Sequence, residues 1–509
     1  MKRISSLFTV SALLLFTMAM FTPAWANHMV VENVSLTEQN AADNYTNIKF
    51  DVSWENSWRV SEISGDGTPT WDAAWVFAKW KLHSGSTWAH CTLSSTDAHH
   101  TAPTGSTIDA ASDGTGIFIY RSGDDSGSNN WDNARLRWNY GTDGVADDAK
   151  VDVKVFAIEM VYIPEGSFAL YNGESADLTA NFNSANTIIS ENALAEGAIT
   201  WDRTEINWCG AQDNKGNTGG CAALGANYPK GYKAIYCMKY EISQGQYADF
   251  LSLLTDDQDN NRYPNSNGSY RHTISGSYGS YSASVPNRAC NYLKWADGLA
   301  YADWAGLRPM TELEYEKICR GPETAGIEYA WGNANIASSA YTLSNDGHYN
   351  ATVSNAATGS TGNASYSITD GDINGPLRCG IFATGTSTRA ESGASYYGVM
   401  EMSGNLWERC ITVAMYCYDN TDWDNATGAG SFDGQHGNGS LSTTGFADVS
   451  NWPSQTATSG YTAYGSSFHG GDWHNYTTRL RVSDRSDAAN PNAARHLNYG
   501  FRLSRTITP

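Results

Sequence analysis

The sequence predicts an α+β protein in two parts: an all-β sandwich first, then a larger domain with little regular secondary structure. Three observations point there. Near the start, Ile48, Phe50, Val52 and Trp54 alternate with Lys49, Asp51, Ser53 and Glu55, the period-2 pattern of a half-buried strand. Farther along, apolar residues recur at helical spacing behind capping residues, but only in short pieces. Only 17% of residues are charged, while Gly, Ser, Asn, Thr, Trp and Tyr abound, which suits a loop-rich extracellular protein.

The organisation follows from these patterns. Residues 1–26 read as a signal peptide: Lys2 and Arg3, an apolar stretch from Leu7 to Phe21, then Ala24-Trp25-Ala26 before the expected cleavage. The mature chain is therefore expected outside the cytoplasm, secreted, periplasmic or at the cell surface. No other run of ~18 apolar residues appears, so membrane insertion is not expected. Residues 27–155 form the β-sandwich. Leu136-Trp138-Tyr140 and Val151-Val153-Val155 repeat the alternation between polar turns, and many short strands suggest an immunoglobulin-like arrangement. Its eight tryptophans read as core rather than as a sugar platform.

Residues 156–509 carry the helical pieces. Ser243 precedes Tyr247, Phe250, Leu251 and Leu254; a second helix is expected over 291–305, stopped by Gly306; Thr311 and Glu314 form a capping box for a third. Beyond Gly321 long Gly, Ser, Thr and Asn loops take over.

Charge and cysteines narrow the partners. The net charge is −21, and −23 once Lys2 and Arg3 leave with the leader, which argues against nucleic acid and anionic membranes. Nine cysteines in an oxidising compartment suggest some disulfides. Cys209 and Cys221 flank a Gly/Asn-rich loop whose closure would contribute about 3 kcal/mol.

Seven segments then appear in a fixed order: Met160-Val-Tyr-Ile-Pro-Glu-Gly-Ser-Phe168, Tyr240-Glu-Ile-Ser-Gln-Gly-Gln-Tyr247, Trp304 to Glu316 (WAGLRPMTELEYE), Tyr329-Ala-Trp-Gly-Asn333, Tyr397 to Glu408 (YGVMEMSGNLWE), His469-Gly-Gly-Asp-Trp473 and Gly500-Phe501-Arg502. Together they resemble the formylglycine-generating-enzyme, or sulfatase-modifying-factor, domain family across roughly Met160 to Arg502. The resemblance implies a C-type-lectin-like fold, often held by calcium. It places a calcium loop at Glu401, Asn405 and Glu408 with the carbonyls of Gly404 and Leu406, oxygens of the kind calcium takes.

The activity is another matter. In these enzymes two cysteines four residues apart, just after the Gly-Gly segment, hold copper, and monovalent copper calls for soft thiolates. Here Gly470 to Arg481 reads GGDWHNYTTRLR, without cysteine, and none occurs after Cys417; Cys410 and Cys417 have the wrong spacing. Copper is not expected. The iron-dependent sulfur-transfer relatives need an H-x₃-H-x-E set in a helical domain, which the adjacent His99-His100 in a strand-like region does not supply. His469, His474 and His496 offer three imidazoles that could meet at a metal.

What remains is a binding surface. Asp472, Trp473, His474, Asn475, Tyr476, Asn490, Asn492, His496, Asn498 and Tyr499 form a polar and aromatic set, adaptable in the way of paratopes. In layout the segment resembles the variable ligand face of retroelement-diversified proteins. Arg481 and Arg485 are expected to turn inward to carboxylates. The reading is a secreted, non-catalytic binding or display protein with a protein or glycan ligand; the alternatives are a metal-dependent oxidoreductase of the same family and a structural surface protein.

Overall fold

The computed structural model describes residues 29–63, 67–170, 182, 187–195, 197–202, 218–221, 223–264, 268–323, 326, 328–367, 373–413, 431–488 and 490–507. Eight strands come first: β1 (Val30–Asn40), β2 (Tyr45–Val60), β3 (Thr70–Leu82), β4 (Ala89–His90), β5 (Ser106–Ala110), β6 (Ile117–Arg121), β7 (Asp125–Trp138) and β8 (Val151–Ile163). Then come β9 (Ile235–Met238), α1 (Gln244–Leu251), α2 (Asp256–Arg262), α3 (Trp295–Trp304), β10 (Arg308–Pro309), α4 (Glu312–Arg320), β11 (Glu408–Ile411), β12 (Ser466–His469) and β13 (Leu503–Thr506). Short two-stranded ladders and long loops fill the rest. The chain is β-rich with few, short helices, an α+β fold. None of the helices described is long and apolar enough to cross a membrane.

One sheet runs through both halves. Its order is β1-β2-β3-β8-β9-β13-β10, with β7 on β2, β4 and β6 on β3, and β5 on β6. The reason lies in β3, whose residues are buried on both faces. Ala74, Val76 and Ala78 join Ile48, Phe50, Trp54, Leu136 and Trp138 in one core. Their neighbours Ala73, Trp75 and Phe77 point the other way, into the core built on Leu299, Tyr301 and Trp304 of α3. A strand buried on both faces needs a layer on each side.

The seam is also bonded. Trp75 Nε1 donates to the Ala305 carbonyl at 2.8 Å, and Lys79 Nζ donates to the carbonyls of Trp304 and Gly439, each at 2.6 Å. The expected boundary after residue 155 therefore falls inside β8, which pairs with β3 from Val151 to Val161 and with β9 from Met160 to Ile163. The change of texture at Phe156 is real, but it marks where the loops begin, not where the sheet ends. Trp54, Trp75, Trp131 and Trp138 are core, as expected, and none of the other four is fully exposed.

The helix starts are local and form as expected. Ser243 caps α1, with Gln246 returning the bond; Thr311 and Glu314 close the box on α4. The second expected helix begins later than 291, because Tyr292 takes a left-handed backbone (φ 60°).

Buried ion pairs fix the elements to one another. Arg308 forks onto Glu314 at 2.8 and 2.6 Å, and Arg485 onto Glu312 at 3.0 and 2.8 Å, the inward turn expected of it. The seven described cysteines are all buried, and no disulfide joins any two of them. The Cys209–Cys221 loop and the Cys410–Cys417 comparison each involve a cysteine outside the described residues.

Candidate binding face around Asp472 and Trp473

The C-terminal site rests on the ladder between β11 and β12, where Glu408 faces His469 and Ile411 faces Ser466. Directly after it the backbone turns at Gly470 (φ 81°) and Gly471 (φ 67°). A Cβ on Gly470 would meet the Met402 carbonyl at 2.7 Å, and one on Gly471 the Leu480 side chain at 2.7 Å, so both positions require glycine. This turn drives Asp472 and Trp473 into the protein.

Asp472 becomes a hub. Its carboxylate accepts from the His474 N–H at 2.7 Å, from Asn498 Nδ2 at 2.6 Å, and from Asn475 Nδ2. Burial pushes the carboxyl up to about 7, against the pull of these donors. Because the Asn498 amide nitrogen is spent on Asp472, its oxygen faces His496, whose Nδ1 must donate. Trp473 lies beneath, 1% exposed, with its N–H bonded to the Asn405 carbonyl at 2.9 Å. Its ring meets His474 at 5.4 Å and Tyr270 at 5.9 Å between centroids.

The expected contact set is therefore split. Asp472, Trp473, Asn490 and Asn498 are buried and serve as framework, a correction to their reading as contact residues. The cause is hydrogen-bond capacity: in a loop-rich domain the polar side chains satisfy the backbone that no ladder satisfies. Asn490 bonds Asp487, while Asn492 Nδ2 donates to the Tyr499 hydroxyl at 3.3 Å. Tyr499, half-buried, packs at a tilt on Phe468 (4.5 Å) and beside His496 (5.1 Å). His474, Asn475, Tyr476 and His496 stay accessible; Tyr476 is 78% exposed.

Residues that sequence reading missed complete the rim. Tyr270 (φ 49°), Arg271 (φ 64°), Tyr292 (φ 60°) and Ser367 (φ 45°) all hold left-handed backbone that side-chain-bearing residues rarely adopt. Each is held by hydrogen bonds, and those of Tyr292 and Ser367 come from the site itself. The Tyr270 carbonyl accepts from Asn291 Nδ2 at 3.0 Å, and the same nitrogen donates to the Leu497 carbonyl at 3.0 Å. The Arg271 carbonyl accepts from Gln244 and Arg288. The N–H of Tyr292 bonds the His496 carbonyl, and that of Ser367 bonds the Asn475 carbonyl. Strain of ~1–3 kcal/mol per residue persists only where the surroundings enforce it, and such enforcement clusters at functional sites. No periodicity marks these residues in sequence; the Tyr/Ser/Asn run around Tyr270 was the available hint.

The calcium expectation meets engaged side chains. Glu408 accepts from Arg502 Nε at 2.7 Å, Glu401 accepts from the Gly380 N–H at 2.6 Å, and Asn405 accepts from the Leu377 N–H at 2.8 Å. Glu241, which the expectation did not include, receives Asn405 Nδ2 and the Leu406 N–H at 2.5 and 2.9 Å. Among the described residues, one oxygen each of Glu401 and Glu408 has no hydrogen-bond partner. The Arg502 guanidinium sits on the Glu408 carboxylate, a pairing the expectation did not include. Three buried carboxylates, Glu241, Glu401 and Glu408, thus share the field of the Arg502 guanidinium. Burial raises the Glu401 carboxyl to about 7 despite Arg502.

Nor do the three histidines converge. His469 is fully buried 3.4 Å from Glu312, while His474 and His496 are exposed. Among the described residues no group of three or more His, Cys, Asp or Glu side chains is placed to hold a metal. Burial raises the thiols of Cys91, Cys237 (to about 12), Cys290, Cys319, Cys379 and Cys410, which disfavours the thiolate needed for metal or redox chemistry.

Comparison with known proteins agrees with the motif order. Residues 152–507 match the sulfatase-modifying factor enzyme 1-like domain. A formylglycine-generating enzyme of Streptomyces coelicolor is 48% identical over 48 residues, 9% of this chain and 15% of that protein. One from Thermomonospora curvata is 28% identical over 128 residues, 25% of this chain and 33% of that protein. The chain thus aligns with a third or less of either relative.

Proposed function

The chain belongs to the sulfatase-modifying factor enzyme 1-like domain family, and from that premise we propose that it is an extracellular, non-catalytic binding protein whose C-terminal face recognises a protein or glycan ligand. The observation that carries this reading is the face itself. Exposed His474, Tyr476 and His496 stand on a rigid floor of Trp473 and Asp472, ringed by four side-chain-bearing residues in left-handed backbone. Stiff aromatic area with adaptable polar groups on a fixed scaffold is the design of a recognition surface. The missing cysteine pair in Gly470–Arg481 removes the residues that the family's copper chemistry needs. The N-terminal strands, which gather a tryptophan-rich core, are read as an immunoglobulin-like sandwich that presents this domain.

The two relatives are formylglycine-generating enzymes, which supports one alternative: a metal-dependent oxidoreductase of the same family. One experiment separates the two. The purified chain is assayed for bound copper and iron and for oxidation of a cysteine-containing sulfatase-type peptide, and in parallel screened against glycan and extracellular-protein arrays. The binding reading expects array hits that Tyr476→Ala abolishes, with no stoichiometric metal. Stoichiometric copper or iron with peptide oxidation would overturn it.

A further inference from the structure

A second recognition element lies at the seam between the two halves, away from the C-terminal face. There β8 loses its neighbour. It is paired with β3 along Val151–Val161, but β9 covers its other edge only from Met160 to Ile163. After the Lys239 N–H bonds the Glu159 carbonyl at 2.9 Å, the following chain turns away.

Two bonds fix which main-chain groups are left. The Ala78 carbonyl is taken by the Cys91 N–H at 2.9 Å, on the side away from β8, so Ala78 and its partner Val155 do not bond each other. In an antiparallel ladder this orientation repeats every second residue. The outward bond of Glu159 agrees with it. The N–H and C=O groups of Val155 and Ala157 therefore point to the open edge, and no hydrogen-bond partner is seen for them among the described residues.

This edge is one wall of a cavity of about 360 Å³. Residues of α1, Pro286 and Asn287, Phe156 and Trp304, and Met29 and Val31 line it as well, Val31 within β1 and Met29 just ahead of that strand. Glu159, ion-paired to Lys239 at 2.6 Å, and Glu241 lie among the lining residues, and Asp249 stands exposed on α1 in the field of Lys154; no lysine or arginine itself lines the space. The contrast with β1 is informative. That long edge strand is broken by register shifts with left-handed Asn33 (φ 54°) and Glu38 (φ 56°), devices that discourage pairing. The edge at Val155 and Ala157 carries no such shift.

We propose that this groove binds an extended, basic peptide segment of a partner protein by strand addition to β8. Main-chain bonds to Val155 and Ala157 supply affinity. Alternate side chains of the added strand fall toward Phe156 and Trp304 and toward Met29 and Val31, and a lysine or arginine on the α1 side meets Asp249.

The test uses the full chain and two synthetic ten-residue peptides of alternating Val and Thr, one carrying two lysines and the other two glutamates at the same places. Amide hydrogen exchange is followed at Val155 and Ala157, with binding read by fluorescence anisotropy. The expected result is fast exchange of both amides in the free chain, slowed at least about tenfold by the lysine peptide. The glutamate peptide should bind at least about tenfold more weakly, and Asp249→Asn should remove most of that preference. Ala157→Pro deletes only the outward N–H and should weaken the lysine peptide about tenfold or more. If that variant misfolds, the exchange measurement on the unaltered chain still decides. Protection of both amides before peptide is added would mean that the chain's own residues cover the edge, and would overturn the proposal. So would equal binding of the two peptides, or saturation without slowed exchange at these amides.

Discussion

Glu312 offers the sharpest test of how the C-terminal face is held up. Its carboxylate lies beneath the Gly470–Gly471 turn, fully buried, and collects five contacts. Oε1 accepts from Thr412 Oγ1 at 3.0 Å, the Val413 N–H at 2.5 Å and Arg485 at 3.0 Å; Oε2 accepts from Arg485 at 3.0 and 2.8 Å. His469 Nε2 lies 3.4 Å away. Burial alone would push this carboxyl up, but Arg485, His469 and the Val413 N–H outweigh it and hold it at about 2, against an ordinary 4.5. At ~1.36 kcal/mol per pH unit, the difference corresponds to roughly 3 kcal/mol of folding stability. The sign follows from the depressed value. The contribution is fully present above pH ~4.5 and is lost as pH falls toward 2, because the unfolded chain takes the proton first. Glu312→Gln keeps an acceptor for Thr412 and Val413 but removes the carboxylate facing the buried Arg485 guanidinium, a loss of about 3–5 kcal/mol. Denaturant unfolding at pH 7 should show that destabilisation, and the gap to the parent should shrink steadily between pH 4.5 and 2. A gap below about 1 kcal/mol at pH 7, or one that does not move with pH, would refute the reasoning.

Three further outcomes are expected. Asn291→Ala leaves the Tyr270 and Leu497 carbonyls without their shared donor; it should cost about 1–3 kcal/mol in unfolding and speed amide exchange at Arg271 and Tyr292. Tyr476→Ala, at a 78% exposed side chain, should change stability by less than about 0.5 kcal/mol while lowering affinity for any array-identified ligand about tenfold or more; unchanged affinity would move recognition away from this face. Thiol alkylation of the native chain at pH 8, read by peptide mass mapping, should spare Cys91, Cys237, Cys290, Cys319, Cys379 and Cys410, since burial both shields these thiols and suppresses their ionisation; rapid modification of any of them would reopen the redox alternative.

What the sequence disclosed, and what it withheld, follows the range of the interactions involved. Helix caps are written within four residues, and Ser243 with Gln246 and Thr311 with Glu314 close as their spacing requires. The ordered motifs located the family correctly. Sheet continuity was not legible, because the pairings that build it are long-range. Val161 meets Asp72 on one side and Cys237 on the other, and no local pattern records such partners. The half-exposed texture of Val151–Val155 looked like the last strand of a finished domain, when in fact β8 belongs to both.

The same distinction explains the binding set. Composition identified the right polar, aromatic segment but could not tell contact from support. In a domain where loops replace ladders, main-chain groups must find side-chain partners, and the cheapest suppliers are the Asn and Asp residues that also look like ligand contacts. Asp472, Asn490 and Asn405 are consumed in that way, accepting from the N–H groups of His474, Asn492 and Leu377, while Asn498 and Glu408 are spent on the side chains of Asp472 and Arg502. Glu408 of the motif read for calcium pairs with Arg502 of Gly500-Phe501-Arg502 at 2.7 Å. Recognition is then left to the side chains the framework does not need, and at this face those are His474, Tyr476 and His496, exposed above a floor whose own polar groups are already spent.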